Sequence, residues 1–470
     1  MPNRTEEDFL GKVEVPSDAY YGAFTARAAS TFKISGQKVD LRIIRAYIMI
    51  KKAAALANSE LGVLDKKIAG AIVKACDETL AGKFNNQFIL DAFQAGAGTP
   101  MHMNINEVLA NRATELLGGK RGQYLVHPNN HVNMAQSSND VTPTAIRIAA
   151  LLEVKYLLNE IETLQKSFEK KAKQYEKLIK VGRTHLQEAV PISYGQVFDA
   201  YAKSMFFDTN TMSASFGNLS DLGIGGTAVG TGINTHPKFK EKITAHLSKL
   251  TGLKLKQADS SVQTTHDMNA FLLSSAALRS YATTLNRIAN DLRLLVSGPK
   301  TGIAEIILPA VEPGSSIMPG KINPSVPEAV NMVCFQVMGN DFVILQAANS
   351  GQLELNFMTP LIAYNLMQSL DLLKNATKMF REKCIEGLRL DAGRIKEHFG
   401  SSFAYATAFN PVLGYSVVSK LVTEAYAKNK SLKQLIIEKK LLDVRDVDKI
   451  IASALGPSEV DKEILKRVKK

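Results

Sequence analysis

Gly314-Ser-Ser-Ile-Met-Pro-Gly-Lys-Ile-Asn-Pro324 gathers two hydroxyls, one cation and one amide within eleven residues of a 470-residue chain. Glycine, serine and proline are the ordinary vocabulary of a solvated loop. Set between helical stretches, the same residues also suit holding a small dianion and removing a proton from it. The rest of the sequence bears on which reading holds.

On both sides of this segment the apolar periodicity is helical. Leu151, Val154, Leu158, Ile161, Leu164 and Phe168 follow in steps of three and four within 145–175, and Leu278, Tyr281, Leu285, Ile288, Leu292 and Leu295 do so within 268–296. Segments 194–214, 326–348 and 354–383 lack strand alternation, so the middle of the chain is expected to form a bundle of long helices. Before it stand a short Val13–Pro16 element and helices near 41–61, 66–83 and 100–117. After about residue 393 come shorter, Lys-rich helices at 411–428, 431–439 and 445–454. The expected fold class is mainly α in three domains, 1–139, 140–393 and 394–470, with the long-helix bundle in the centre.

At 45% apolar residues, the chain can bury one large core or two to three smaller ones. Cys76, Cys334 and Cys384 are odd in number and widely spaced, the pattern of buried thiols in a reducing compartment, so a cytoplasmic location is expected. Neither an export leader nor a membrane span of about 18 apolar residues is visible. The net charge of +12 is spread along the chain, with a mild terminal excess at Lys462, Lys466, Arg467, Lys469 and Lys470. Without a zinc-finger spacing or an aromatic-interleaved basic motif, neither nucleic acid nor membrane is expected as a partner. A modest positive field suits the collection of small anions instead.

The glycine-rich run Gly223-Ile-Gly-Gly-Thr-Ala-Val-Gly-Thr-Gly232 lacks the strand, helix and following acid of a dinucleotide loop, and reads as a tight turn. There is no Cys/His cluster, no close carboxylate pair and no Gly-x-Ser-x-Gly elbow, which argues against metallohydrolase, glycosidase and serine-esterase chemistry. Acid–base chemistry with no metal and no cofactor is what remains.

Three further polar sites fall at apparent loop-to-helix junctions: Thr99-Pro100, Ser137-Ser138-Asn139-Asp140 ahead of Thr142-Pro143, and Gly182-Arg183-Thr184-His185 ahead of Tyr194. Taken singly, each is explained by helix capping. Together with the 314–324 loop they supply hydroxyls, an amide, a histidine and a lysine beside the free N–H groups of helix N-termini, where anions are favoured. Such equipment suits a dicarboxylate.

The segment Gly314–Pro324 matches in full the signature G-S-S-x-M-P-x-K-x-N-P of the aspartase/fumarase superfamily, which the chain resembles from end to end. Thr99, Gln136-Ser-Ser-Asn-Asp140, Gly182-Arg-Thr-His-Leu-Gln187 and Gly351-Gln-Leu-Glu-Leu-Asn356 continue the resemblance in the same order. It implies a homotetramer whose sites each draw residues from three subunits. It also implies a small dicarboxylate substrate, Ser315 as the base on a mobile loop, and an aci-carboxylate intermediate.

Thr99, Ser137, Ser138 and Ser316 would steady the growing charge, Thr184, Lys321 and Asn323 the other carboxylate, and Asn139 and His185 the amino group. Tyr20-Tyr21-Gly22, Ala95–Thr99, Ala189-Val-Pro191 and Gln352 are similar to the branch that deaminates L-aspartate. Ser138, His127-Pro128-Asn129 and Gly225-Gly226-Thr227 lean toward the branch that dehydrates L-malate. The first activity is the one expected, with the second as alternative. One departure stands out: the family pattern Thr-Ser-x-Asn-Met-Asn is here Thr99-Pro-Met-His-Met-Asn104, which bears on substrate scope.

Overall fold

A computed structural model describes residues 2–456 and 461–468, with side chains described through 465. The side chains of Lys466, Arg467, Lys469 and Lys470, part of the terminal basic excess, lie outside the described residues. The chain is mainly helical, at 62% helix.

In chain order, a hairpin of β1 (Asn3–Asp8) and β2 (Gly11–Pro16) leads to α1 (Ala23–Thr31), α2 (Leu41–Glu60), α3 (Lys66–Leu80) and α4 (Thr99–Leu116). The 37-residue α5 (Ser138–Gln174) is followed by the hairpin of β3 (Ile179–Thr184) and β4 (Gln187–Ser193), then by α6 (Tyr194–Gly217). Next come β5 (Asp221–Leu222), α7 (Phe239–Thr251), β6 (Lys256–Gln257), α8 (Ser261–His266), α9 (Asn269–Leu295) and β7 (Ile306–Ile307). Two more long helices, α10 (Ser325–Asn349) and α11 (Thr359–Phe380), precede β8 (Arg389–Leu390) and α12 (Ala392–Ser401). Short helices α13 (Asn410–Leu413), α14 (Tyr415–Ala427), α15 (Leu432–Glu438), α16 (Val444–Ser453) and α17 (Lys462–Val468) end the chain. Among the described residues the strands pair two by two, β5 with β6 in parallel and the other pairs antiparallel.

The residues form two compact units: 1–159, 208–283 and 332–375 make the first, and 160–207, 284–331 and 376–470 the second. Each of α5, α6, α9, α10 and α11 gives residues to both units. The apolar stripes read from the sequence are where the burial lies. Val154, Ile161, Leu164 and Phe168 of α5 and Leu278, Tyr281, Leu285, Ile288 and Leu292 of α9 are buried, while Leu151, Leu158 and Leu295 are half-buried. In the second unit Phe168 meets Tyr201 edge-on at 5.6 Å and lies 6.1 Å from Phe198, the favoured tilted geometries of aromatic pairs. Tyr405, Phe409, Val418, Leu421, Leu432, Leu435 and Ile450, with their neighbours, share a separate buried core.

Several helix starts differ from the capping read in the sequence. Thr99 is the first residue of α4, and the N-cap is the left-handed Gly98; the Thr99 hydroxyl donates to the Gly96 carbonyl at 2.5 Å. Thr142-Pro143 lies inside α5, where Tyr47 Oη donates to Thr142 Oγ1 at 2.6 Å. The Gly223–Gly232 run is indeed a turn, and its purpose is packing: a Cβ on Gly230 would come 2.4 Å from Val262 Cα.

The start of α1 is capped by a buried carboxylate from α4. The carboxylate of Glu107, 3% exposed, accepts from the N–H groups of Gly22, Phe24 and Thr25 and from the Thr25 hydroxyl. An amide there sets its own N–H against those donors, so Glu107→Gln is expected to lower the unfolding free energy by about 1–3 kcal/mol. Chemical denaturation checks this; an unshifted midpoint would contradict it.

Candidate active site

The predicted site residues fall into two groups, one in each unit. In the first unit the starts of α4 and α5 lie together, because Gly98 has no side chain: a Cβ there would meet Thr142 of α5 at 3.0 Å. Thr99 opens α4 and is half-buried, and Ser137, Ser138 and Asn139 open α5, also half-buried. Ser137 Oγ accepts from Asn139 N at 3.2 Å, and Asp140 reaches back to accept from Ser137 N at 2.9 Å, closing the first turn of α5. Asn139 Nδ2 donates to the Ala228 carbonyl in the glycine-rich turn at 2.7 Å.

Asp140 holds that same turn. Its other carboxylate oxygen accepts from Gly225 N at 2.8 Å and Thr227 N at 3.0 Å. Burial pushes its pKa up to about 6, against the pull of the three backbone donors. Two helix N-termini and their hydroxyls thus share one polar surface, an arrangement in which backbone N–H groups and helix dipoles favour an anion.

In the second unit, Thr184 and His185 do not open a helix, as their sequence position suggested. They lie at the exposed tip of the β3–β4 hairpin, whose two turn residues, His185 and Leu186, both adopt left-handed backbone with φ of 54° and 62°. A two-residue hairpin turn requires that geometry, and it is costly for residues other than glycine, asparagine and aspartate. Arg183, next to Thr184, donates to Glu305 at 2.8 Å. Glu305 is fully buried and also accepts from Tyr194 Oη at 2.7 Å and from His398 Nδ1 at 3.0 Å. Burial works to raise its pKa, but these hydrogen bonds outweigh it and hold the carboxyl below its ordinary value. Because Glu305 immediately precedes β7, the network ties the hairpin to the chain that leads into the serine loop.

That loop is pinned at its base. Gly314 N donates to the Lys321 carbonyl at 2.9 Å, and Asn323 Nδ2 donates to the Gly314 carbonyl at 2.7 Å. Asn323 therefore shapes the loop with its amide nitrogen. Above the pin, the chain folds so that Ile317 N and Met318 N donate to Ser315 Oγ at 3.2 and 3.0 Å. Ser316 and Lys321 are exposed, as is Ile317 at 84%. Two N–H donors on one hydroxyl oxygen favour its deprotonated form over the alcohol.

Sequence reading did not single out Lys51, which is fully buried beneath the first group, or Glu305. For Lys51 a signal existed: it sits four residues after Tyr47 on the apolar face of α2, where a lysine needs polar partners.

With this geometry in place, comparison with known proteins fixes the class. A model described as Lyase matches residues 11–339, and one described as Fumarase C C-terminus matches 406–454. Among curated relatives, an aspartate ammonia-lyase from a Bacillus species is 46% identical over 449 residues, covering 95% of this chain and 96% of the relative. A class II fumarate hydratase from Campylobacter jejuni is 44% identical over 461 residues, covering 97% and 100%. A class II fumarase from Schistosoma mansoni superposes with a TM-score of 0.93 at 39% identity, over 96% of this chain and 98% of that one. The chain belongs to the aspartase/fumarase superfamily of lyases.

A Cβ on Gly314 would come 2.6 Å from the Lys321 carbonyl and 2.8 Å from Asn323 N, prying the pinned base apart. Gly314→Ala is expected to cost about a hundredfold in turnover, the scale set by an ångström-sized misplacement of reacting groups. Steady-state rates beside a thermal melt check this, the melt being expected to stay unchanged.

Proposed function

We propose that the protein catalyses the reversible deamination of L-aspartate to fumarate and ammonia, with Ser315 as general base. The observation that carries this reading is the pair of backbone N–H groups on Ser315 Oγ. An unassisted alcohol is too weakly acidic to supply a base at neutral pH; an alkoxide held by two donors and near the Lys321 cation in sequence is a competent one. It takes the proton from the carbon next to a carboxylate. That carboxylate then carries a second negative charge; Ser137, Ser138 and Ser316 supply donors to it, and Thr99 does so on giving up its bond to the Gly96 carbonyl. A single pre-aimed donor is worth about 2.7–4 kcal/mol in a dry site. Thr184, Lys321 and Asn323 hold the second carboxylate, and Asn139 and His185 the departing amine. The loop closes over the substrate and expels water, with Gly320, at φ 75°, as one hinge. The chemistry needs neither metal nor cofactor.

The working form in this reading is a homotetramer, each site drawing residues from three subunits. An exposed face of α10 that carries no charge supports association. Met332, Phe335, Phe342 and Leu345 along it are 69%, 60%, 60% and 40% exposed, an apolar surface that a partner helix would cover. The separate core around Phe409 and Leu435 supports a C-terminal domain at 394–470, beside domains at 1–139 and 140–393. Three buried free thiols fit a reducing cytoplasm. Among the described residues no helix is long and apolar enough to cross a membrane.

Dehydration of L-malate to fumarate is the second reading, favoured by the Campylobacter relative's name and near-equal identity. It uses the same base and the same anion sites, with water as leaving group. Supplying L-aspartate and L-malate separately, and following fumarate absorbance together with free ammonia, separates the two; fumarate from malate alone would overturn the first. With the active substrate, Ser315→Ala is expected to lower turnover by about 10²–10⁴-fold, the usual worth of a positioned base, and a loss of only a few-fold would remove Ser315 from that role.

A further inference from the structure

Beneath Ser138 lies a buried polar chain that the reaction just described does not use. Lys51 is fully buried, and among the described residues no carboxylate bonds to its Nζ. Its Nζ is within hydrogen-bond distance of His102 Nε2, and it donates to Asn133 Oδ1 at 3.0 Å and to Gln136 Oε1 at 2.8 Å. On the far side of the imidazole, His102 Nδ1 lies 2.8 Å from Ser138 Oγ. His102 is itself buried, at 1% exposure.

The directions of these bonds follow from their neighbours. Asn133 Nδ2 donates to the Gln136 carbonyl, and Gln136 Nε2 donates to the carbonyls of Val132 and Met134, so both amide oxygens must face Lys51. Asp140, 1% exposed, accepts from three backbone N–H groups and so has the acceptor-only pattern of an ionised carboxylate. A buried anion calls for a cation nearby. Burial dominates at Lys51 and holds its pKa well below the ordinary value, while the Asp140 charge pulls the other way; the ammonium form is assigned on its three partners and the nearby buried anion. An ammonium has three N–H groups and no lone pair, and Lys51 faces three partners. With Lys51 as the ammonium, His102 Nε2 is the acceptor, which leaves the single ring proton on Nδ1, directed at Ser138 Oγ; a neutral amine would reverse both bonds. With that lone pair occupied, the serine's own hydrogen is free to turn outward. Among the described residues no acceptor for it is seen.

We propose that His102 is a positioning residue: locked by Lys51 in the Nδ1–H form, it holds Ser138 so that the hydroxyl donates to the carboxylate of the bound substrate on which charge grows. This rests on the lyase reading above. It also gives a physical sense to His102 standing where the family pattern has asparagine. An asparagine amide reaches the place of Nδ1 and can donate to Ser138, whereas a glutamine reaches the place of Nε2.

Two experiments test it. Solid-state NMR of sedimented, 15N-histidine-labelled protein reads the ring directly, the signal among the eight histidines being assigned by its loss in His102→Asn. A protonated Nδ1 with a bare Nε2 is expected, and a protonated Nε2 overturns the proposal. In kinetics, His102→Ala and His102→Gln should lower kcat about tenfold, less than the ~10²–10³-fold loss on deleting a donor outright, while His102→Asn recovers to within a few-fold. In a Ser138→Ala background, His102→Ala should cost nothing further, because the two act as one unit. Equal cost in both backgrounds, or a His102→Asn as impaired as His102→Ala, assigns His102 to structure alone. Where His102→Ala does not fold, His102→Gln and the NMR spectrum carry the test. If the parent turns over neither aspartate nor malate, the assigned reaction fails, and the spectrum still decides the state of the ring.

Discussion

Two backbone N–H groups aimed at one serine oxygen are the constraint on which the account of this molecule rests. Ile317 N and Met318 N reach Ser315 Oγ because the loop is pinned below them by Gly314 N, the Lys321 carbonyl and the Asn323 amide. None of these contacts needs a large core. They need a glycine with no Cβ at 314 and a chain that reverses within a few residues. In the proposed reading, a base made this way would not depend on a neighbouring histidine, unlike hydrolase serines activated by an imidazole.

The second requirement is a place for the charge that such a base creates. In the proposed reading the first unit meets it with two helix starts brought side by side, with Gly98 allowing the approach and Asp140 fastening the start of α5 to the glycine-rich turn. Those groups are fixed before any substrate arrives, and fixed donors cost no reorganisation when charge develops. In the second unit the Glu305 network steadies the hairpin that carries Thr184 and His185. Asp140 and Glu305 are both buried, and each carboxylate is matched by fixed hydrogen bonds, which is the condition for retaining its charge in a core.

Much of this was legible in the sequence. The helices expected at 41–61, 66–83, 194–214, 268–296 and 326–348 stand at 41–60, 66–80, 194–217, 269–295 and 325–349, because their apolar residues recur at the helical period. The β3–β4 hairpin was missed because its turn is His185-Leu186, without the Asn-Gly or Asp-Gly that normally announces one. Thr99 and Thr142 looked like caps because threonine before proline commonly is one; Gly98 in left-handed backbone took the first role, and the second threonine went inside the helix. The residues of the serine loop could be named from their order, but the bonds from Ile317 and Met318 could not, since they depend on dihedral angles that no residue type dictates. Lys51 could have been found from its place on the apolar face of α2, four residues after Tyr47, but its partners Asn133 and Gln136 come from a distant loop that no local pattern indicates.

The most direct measurement is a crystal structure of the assembled protein with a four-carbon dicarboxylate bound and the loop closed. The account predicts Ser315 Oγ within about 3–3.5 Å of the carbon that loses its proton, the distance of a reactive pair, with Ile317 N and Met318 N still on the oxygen. A serine turned away from the ligand, with another side chain at that carbon, would contradict it.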